Sequence, residues 1–239
     1  ARDPRLAAAT GRPMSRRREP LLRPAQGRYL RRLLSPRDRL LAAVEGVSET
    51  EPPGRDPAVV RLFELLAAAT RPRRILELGA GRGDGTLALA RGAPEAELIA
   101  FEPEEALAAP ARELLTAGLV AERVDWRAAD PGAELAALRG PFEIVVLDAS
   151  RPAARRWLDF VLPLVAVRGL VIADRCLAQG RLADPGPEDL GDPGIRALEQ
   201  FNPYLMIHPQ LRAVMLPLGD GVALASKSRP LVRELGGPF

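Results

Sequence analysis

Apolar and polar positions follow two rhythms along this 239-residue chain. Short apolar runs recur at 75–78, 98–101, 144–147 and 170–173, each closed by glycine or an acid, and read as buried strands. Between them apolar residues return every three or four positions, as in amphipathic helices. The spacing predicts strand 74–79, helix 84–91, strand 97–102, helix 104–117, strand 123–127, helix 131–138, strand 142–148, a helix over about 152–164 and strand 168–173. Upstream, Leu30, Leu33, Leu34, Leu40, Leu41 and Val44 suggest helical structure over 27–47, interrupted by Pro36. Asp56 is placed to cap a further helix with Pro57 at its first position and Val59, Val60, Phe63, Leu66 and Ala67 on its apolar face. Two last strands, 211–216 and 221–225, are joined through Pro217-Leu218-Gly219-Asp220 as an antiparallel hairpin. Alternating strands and helices imply an α/β, Rossmann-like, doubly wound fold: a mostly parallel seven-stranded sheet ending in an antiparallel hairpin. Ligands of such sheets bind at the carboxyl ends of the strands.

The first strand runs into a turn with Gly79, Gly81, Gly83 and Gly85, followed by helix-compatible residues from Thr86. Glycines there let backbone approach a nucleotide-like ligand closely. A dinucleotide fingerprint has the spacing Gly-x-Gly-x-x-Gly. Here glycines fall at every second position after Glu77, which resembles the first motif of class I S-adenosylmethionine-dependent methyltransferases. Glu102 ends the next apolar run, 19 residues after Gly83, where an acid can hydrogen-bond ribose hydroxyls. Asp130, Asp148 and Asp174 follow later strands. Any one of these acids could simply cap a helix, but acids at four consecutive strand ends beside this turn favour a shared site.

Composition narrows the setting. Apolar residues make up 47% of the chain without a long uncharged run, so no transmembrane helix is expected. The one cysteine, Cys176, leaves no intrachain disulfide and fits a reducing, cytoplasmic location. Residues 1–40 hold 12 Arg against Asp3, Glu19 and Asp38, a net +9, and the 22 basic and 28 acidic residues that follow give −6. The basic character therefore belongs to an N-terminal arm, residues 1–26, expected to be disordered or loosely attached. The chain divides into that arm, a main domain over 27–228 and a tail over 229–239.

Over residues 27 to 227 the chain resembles the catechol and caffeoyl-coenzyme A O-methyltransferases and their small bacterial relatives. The resemblance is carried by Ile75-Leu-Glu-Leu-Gly-Ala-Gly-Arg-Gly-Asp-Gly-Thr-Leu, Val145-Val-Leu-Asp-Ala-Ser-Arg, Gly169-Leu-Val-Ile-Ala-Asp-Arg-Cys-Leu-Ala-Gln-Gly and the terminal Leu216-Pro-Leu-Gly-Asp-Gly-Val-Ala-Leu-Ala. It implies S-adenosylmethionine as cofactor, in a pocket shaped by Glu77, Gly79, Gly81, Gly83 and Thr86, with Glu102 on the ribose hydroxyls, Asp130 beside the adenine and Asp148 close by. It implies methyl transfer to a hydroxyl of a small aromatic acceptor. It also implies a Mg²⁺-type ion held by Asp148, Asp174 and an asparagine after the latter, with a lysine three residues after Asp148 to take the acceptor's proton.

The chain departs from that pattern at the chemistry. Arg175 stands where the asparagine is expected and Arg151 where the lysine is expected. A guanidinium offers no lone pair to a metal and stays protonated. Three readings follow: Arg175 and Arg151 stabilise an acceptor oxyanion directly; a weak metal site survives on Asp148 and Asp174; or the cofactor binds without catalysis. A tRNA hydroxylated-base acceptor is the rival substrate, favoured by the basic arm and opposed by the acidic main domain. A homodimer is expected from the family. Substrate choice is assigned to loops such as 48–56 and 177–194.

Overall fold

The computed structural model describes residues 24–34, 40 and 54–228. Most of the basic arm, the tail and much of the segment between the first two helices lie outside the described residues. The elements in order are α1 (Pro24–Leu34), α2 (Pro57–Thr70), β1 (Arg74–Leu78), α3 (Asp84–Gly92), β2 (Glu97–Phe101), α4 (Glu105–Ala117), β3 (Val124–Arg127), α5 (Pro131–Glu134), β4 (Phe142–Asp148), α6 (Ala154–Val161), β5 (Val165–Asp174), α7 (Pro193–Ile207), β6 (Leu211–Leu216) and β7 (Val222–Lys227). They form one seven-stranded sheet in the order β3-β2-β1-β4-β5-β7-β6. All pairs are parallel up to β5, and β7 is antiparallel to both β5 and β6.

Period-2 burial places a core on each face of the sheet. Ile75, Leu98, Ile144 and Val146 pack with Val59 and Phe63 of α2, Leu87 of α3 and Leu115 of α4. Leu76, Leu78, Val145 and Leu147 pack on the other face with Trp157 and Leu158 of α6 and Phe201 and Leu205 of α7. Asp56 caps α2 as the sequence suggests, accepting from Ala58 N at 2.8 Å.

The structure differs from the sequence reading in several places. Helix α7 has no counterpart among the expected elements, although Asp192 caps it as Asp56 caps α2, accepting from Gly194 N at 2.7 Å. Helix α1 starts at Pro24, inside the segment expected to be a loose arm. The helix expected at 131–138 shortens to α5 followed by a 3₁₀ turn, and the one at 152–164 to α6 followed by another. Strand β5 begins three residues earlier than expected.

The order in which strands are added reverses between the parallel neighbours β1 and β4: β2 and β3 lie to one side, β5 to the other. The crevice where such a sheet binds ligands therefore opens above the carboxyl ends of β1 and β4. Register makes this end level. Leu78 is opposite both Phe101 and Leu147, and Leu147 is opposite Ala173. The next residues, Gly79, Glu102, Asp148 and Asp174, form one row across four strands.

Candidate active site

Gly79 begins the turn with φ +81°, and a Cβ there would lie 2.8 Å from Asp148 Cβ, so only glycine lets β1 and β4 end side by side. A Cβ on Gly81 would meet nothing within 4 Å. A cavity of about 320 Å³ opens above it, lined among others by Leu107, Asp148, Ser150, Arg151 and Arg175. Gly83 caps α3, where a Cβ would press on Ala111 of α4 at 3.1 Å.

Glu102 is fully buried behind Gly81, Glu104 and Arg151, which line this cavity. Its carboxylate accepts from Gly81 N at 2.7 Å, Glu104 N at 3.0 Å and Arg151 Nη2 at 3.1 Å. The two backbone donors fix its orientation. Arg151 is a side chain, also paired with Glu104 at 2.7 Å, and can give way to hydroxyl groups of a ligand. Burial opposes the charge on Arg151, but Glu102, Glu104 and Asp148 outweigh it and raise its pKa. It holds its proton too tightly to act as a base.

Beneath the turn lies a residue that the sequence did not single out. Arg55 is buried, with its Nε on Asp174 at 2.9 Å, Nη1 on Asp84 at 2.7 Å and Nη2 on Glu77 at 3.1 Å. Its guanidinium also donates to the carbonyls of Ala80 and Gly79, and its backbone N to Asp84 at 2.6 Å. Gly85 makes room for it: a Cβ there would stand 2.8 Å from Arg55 Nη1 and 2.9 Å from Glu77 Oε1. The fourth glycine of the turn thus serves the cation below. Thr86 joins the same cluster, its hydroxyl donating to Glu77 at 2.6 Å.

One guanidinium faces three carboxylates. Burial pushes Glu77 up to about 7, Arg55 and Thr86 only partly opposing it. Burial also raises Asp174. Asp84 goes down, because Arg55 and the N–H groups of Arg55 and Gly85 overcome its burial. The three acids together hold Arg55 above its ordinary value, although burial alone would lower it.

Asp148 and Asp174 stand opposite each other in register, as the metal reading requires. Their oxygens are already engaged. Asp174 accepts from Arg55 Nε and, at 2.8 Å, from Arg175 N. Asp148 accepts from Ser150 N at 3.0 Å and Oγ at 2.6 Å, and faces Arg151 Nε at 3.5 Å and Arg175 Nη1 at 3.6 Å. Three guanidinium groups thus neutralise the pair that would receive a divalent ion. Among the described residues no group of three or more His, Cys, Asp or Glu could hold a metal. These residues do not fit a Mg²⁺ site.

A second cavity, about 370 Å³, lies on the other side of Arg175, between the 54–56 loop, the segment after β5 and the start of α7. Gly54, Ser150 and Arg175 line both cavities and form their junction.

Other residues of interest lie elsewhere. Asp130 caps α5, accepting from Gly132 N at 2.8 Å, and does not line either cavity. Trp126 packs against the core that contains α2 and α3. Cys176 is buried, its thiol pushed up to about 12 by burial and donating to Ala173 O, so it has no nucleophilic character. His208 ends α7 and accepts from Gln210 N, remote from the row of strand ends.

Comparison with known proteins agrees with this architecture. The family model described as O-methyltransferase matches residues 56–228. A catechol O-methyltransferase of Niastella koreensis is 28% identical over 200 residues, spanning 79% of this chain and 89% of that protein. The O-methyltransferase TomG of Streptomyces achromogenes, solved in complex with S-adenosylmethionine, matches with a TM-score of 0.69 at 25% identity, over 84% of this chain and 95% of that one. The methyltransferase PaMTH1 of Podospora anserina, solved with S-adenosylhomocysteine, shares the fold with a TM-score of 0.74 at 21% identity, over 87% of this chain and 97% of that one. With its glycine turn, its row of strand-end acids and a family match over most of its length, this chain belongs to the O-methyltransferase family.

Proposed function

We propose that this O-methyltransferase acts on a hydroxyl of a small aromatic acceptor bound in the second cavity. As a member of its family the chain is an S-adenosylmethionine-dependent enzyme. The observation that carries the acceptor reading is the pair of cavities meeting at Gly54, Ser150 and Arg175. One has the buried acid and open glycine turn suited to an adenosyl group; the other, at about 370 Å³, has room for a substituted ring. In this reading Glu102 takes the ribose hydroxyls and Gly79, Gly81 and Asp148 bound the cofactor. Glu77 and Thr86 act from below by holding Arg55.

The bound cofactor supplies a sulfonium methyl group, and transfer needs an acceptor oxygen in line with the methyl–sulfur bond. The junction of the cavities is where that alignment can be met. The reading includes a cytoplasmic homodimer. No helix among the described residues is long and apolar enough to cross a membrane.

The test is calorimetric titration with S-adenosylmethionine, then mass-spectrometric detection of methyl transfer to a panel of phenols, catechols and unmodified or hydroxylated tRNA. Methylated phenols or catechols are expected. Transfer only to tRNA would replace the small acceptor by a nucleic acid. Cofactor binding without transfer to any acceptor would make the chain a binding protein. Light scattering of the same sample tests the homodimer.

A further inference from the structure

We propose that this enzyme transfers methyl without a divalent metal, with Arg55 neutralising Asp174 from beneath and Arg175 holding the acceptor as an oxyanion. The proposal rests on the O-methyl transfer reading above and names its acceptor class: phenols acidic enough to ionise near neutral pH, with no need of a second, adjacent hydroxyl.

The assignment follows from how the cations are used. Arg55 is committed to three buried carboxylates and Arg181 to Asp189 at 2.8 Å. Arg151 is paired with Glu104 at 2.7 Å and lines the first cavity but not the second. Arg175 meets Asp148 at 3.6 Å, too long for a hydrogen bond, and its side chain remains 31% exposed. It lines both cavities, so its donors lie where an acceptor oxygen would meet the cofactor's methyl. The position is held at a cost: Arg175 has φ +59°, a left-handed conformation that arginine rarely adopts. Its N–H is fixed on Asp174, which Arg55 holds in turn. The remaining charged groups of the second cavity, Asp56 and Asp220, are acids and would repel a second anion, so the oxyanion has one favourable place.

The step balances with these residues alone. The phenol loses its proton to water on binding, and Arg175 donates hydrogen bonds to the resulting oxygen. A lone pair of that oxygen forms the new O–C bond. The C–S pair returns to sulfur and cancels the sulfonium charge. The product ether is neutral, so Arg175 no longer holds it.

The test uses 4-nitrophenol and 4-nitrocatechol with the full chain. In the complex with S-adenosylhomocysteine, bound 4-nitrophenol should show phenolate absorbance below its solution pKa, unchanged by EDTA or Mg²⁺. With S-adenosylmethionine, turnover should ignore EDTA and accept both phenols. Arg175→Gln should abolish the phenolate shift and lower kcat about 100-fold, the loss typical of one oxyanion donor, with a smaller change in KM. Arg175→Lys should restore part of the shift. Turnover that needs Mg²⁺, or a phenolate shift that survives Arg175→Gln, overturns the proposal and leaves the O-methyltransferase reading standing. Absence of cofactor binding by calorimetry sinks both.

Discussion

Replacing Arg55 by methionine removes the one guanidinium that, among the described residues, bonds Glu77, Asp84 and Asp174 together. Methionine keeps much of the side-chain volume, so the loss is mainly electrostatic. Three charge-assisted bonds of 2.7–3.1 Å disappear, leaving the three buried carboxylates without their shared guanidinium partner. Their contributions do not add, because the carboxylates share one cation and can take up protons instead. The cost is therefore close to that of breaking one buried pair, about 3–5 kcal/mol, a large part of a domain's roughly 5–15 kcal/mol. For a domain of this size that lowers Tm by roughly 6–20 °C. Urea denaturation at pH 7.5 and pH 5 tests the cause. In the variant Glu77 and Asp174, already raised by burial, rise further, and Asp84 loses the cation that holds it down, so the folded state binds more protons and gains stability as pH falls. The deficit against the unmutated protein should shrink at pH 5. A loss below about 1 kcal/mol, or the same loss at both pH values, would refute the account of Arg55 as the cluster's counter-charge.

Three further outcomes are expected. Glu102→Ala should weaken S-adenosylmethionine binding by about 1–3 kcal/mol, from loss of a charged acceptor; unchanged calorimetric affinity would sink the ribose assignment. Glu77, raised by burial from 4.5 to about 7, contributes stability that is full below the unfolded value and lost as pH rises through the folded one. Glu77→Gln should therefore flatten the stability profile between pH 4.5 and 7, by up to about 3 kcal/mol at roughly 1.4 kcal/mol per pKa unit; parallel profiles would contradict the shift. Gly85→Ala should cost about 1–3 kcal/mol by crowding Arg55, and little in an Arg55→Met background; an equal cost in both would mean the crowding lies elsewhere.

Much of this site was legible in the sequence because it is built at strand ends. A buried run stops where a polar residue begins, so Glu102, Asp148 and Asp174 announce themselves, and parallel register then sets them in one row. The glycines were legible as a turn, but not their separate tasks: Gly79 spares Asp148, whereas Gly85 spares Arg55. Arg55 itself was hidden. It is one arginine among many, in a loop with no periodicity, and its burial depends on carboxylates 22, 29 and 119 residues away. Helix α7 carried the same Asp-Pro signal that revealed α2, with Ile195, Leu198, Phe201 and Leu205 as its buried face. Pro203 inside it and the glycine- and proline-rich stretch before it disguised the pattern. Asp130 shows how one signal carries two meanings, since an acid after a strand also serves as a helix cap, and Asp130 caps α5.

The cation beneath the glycine turn is part of the polypeptide, and that changes how the site can be assembled and disturbed. A bound ion exchanges with solution, and its occupancy falls on dilution or in the presence of citrate. Arg55 is tethered next to the Asp56 cap of α2, so its occupancy is set by folding alone. Closing the 54–56 loop and completing the floor of the pocket become one event. If transfer needs no metal, as proposed, a compound that grips by chelation through two neighbouring oxygens gains nothing from doing so.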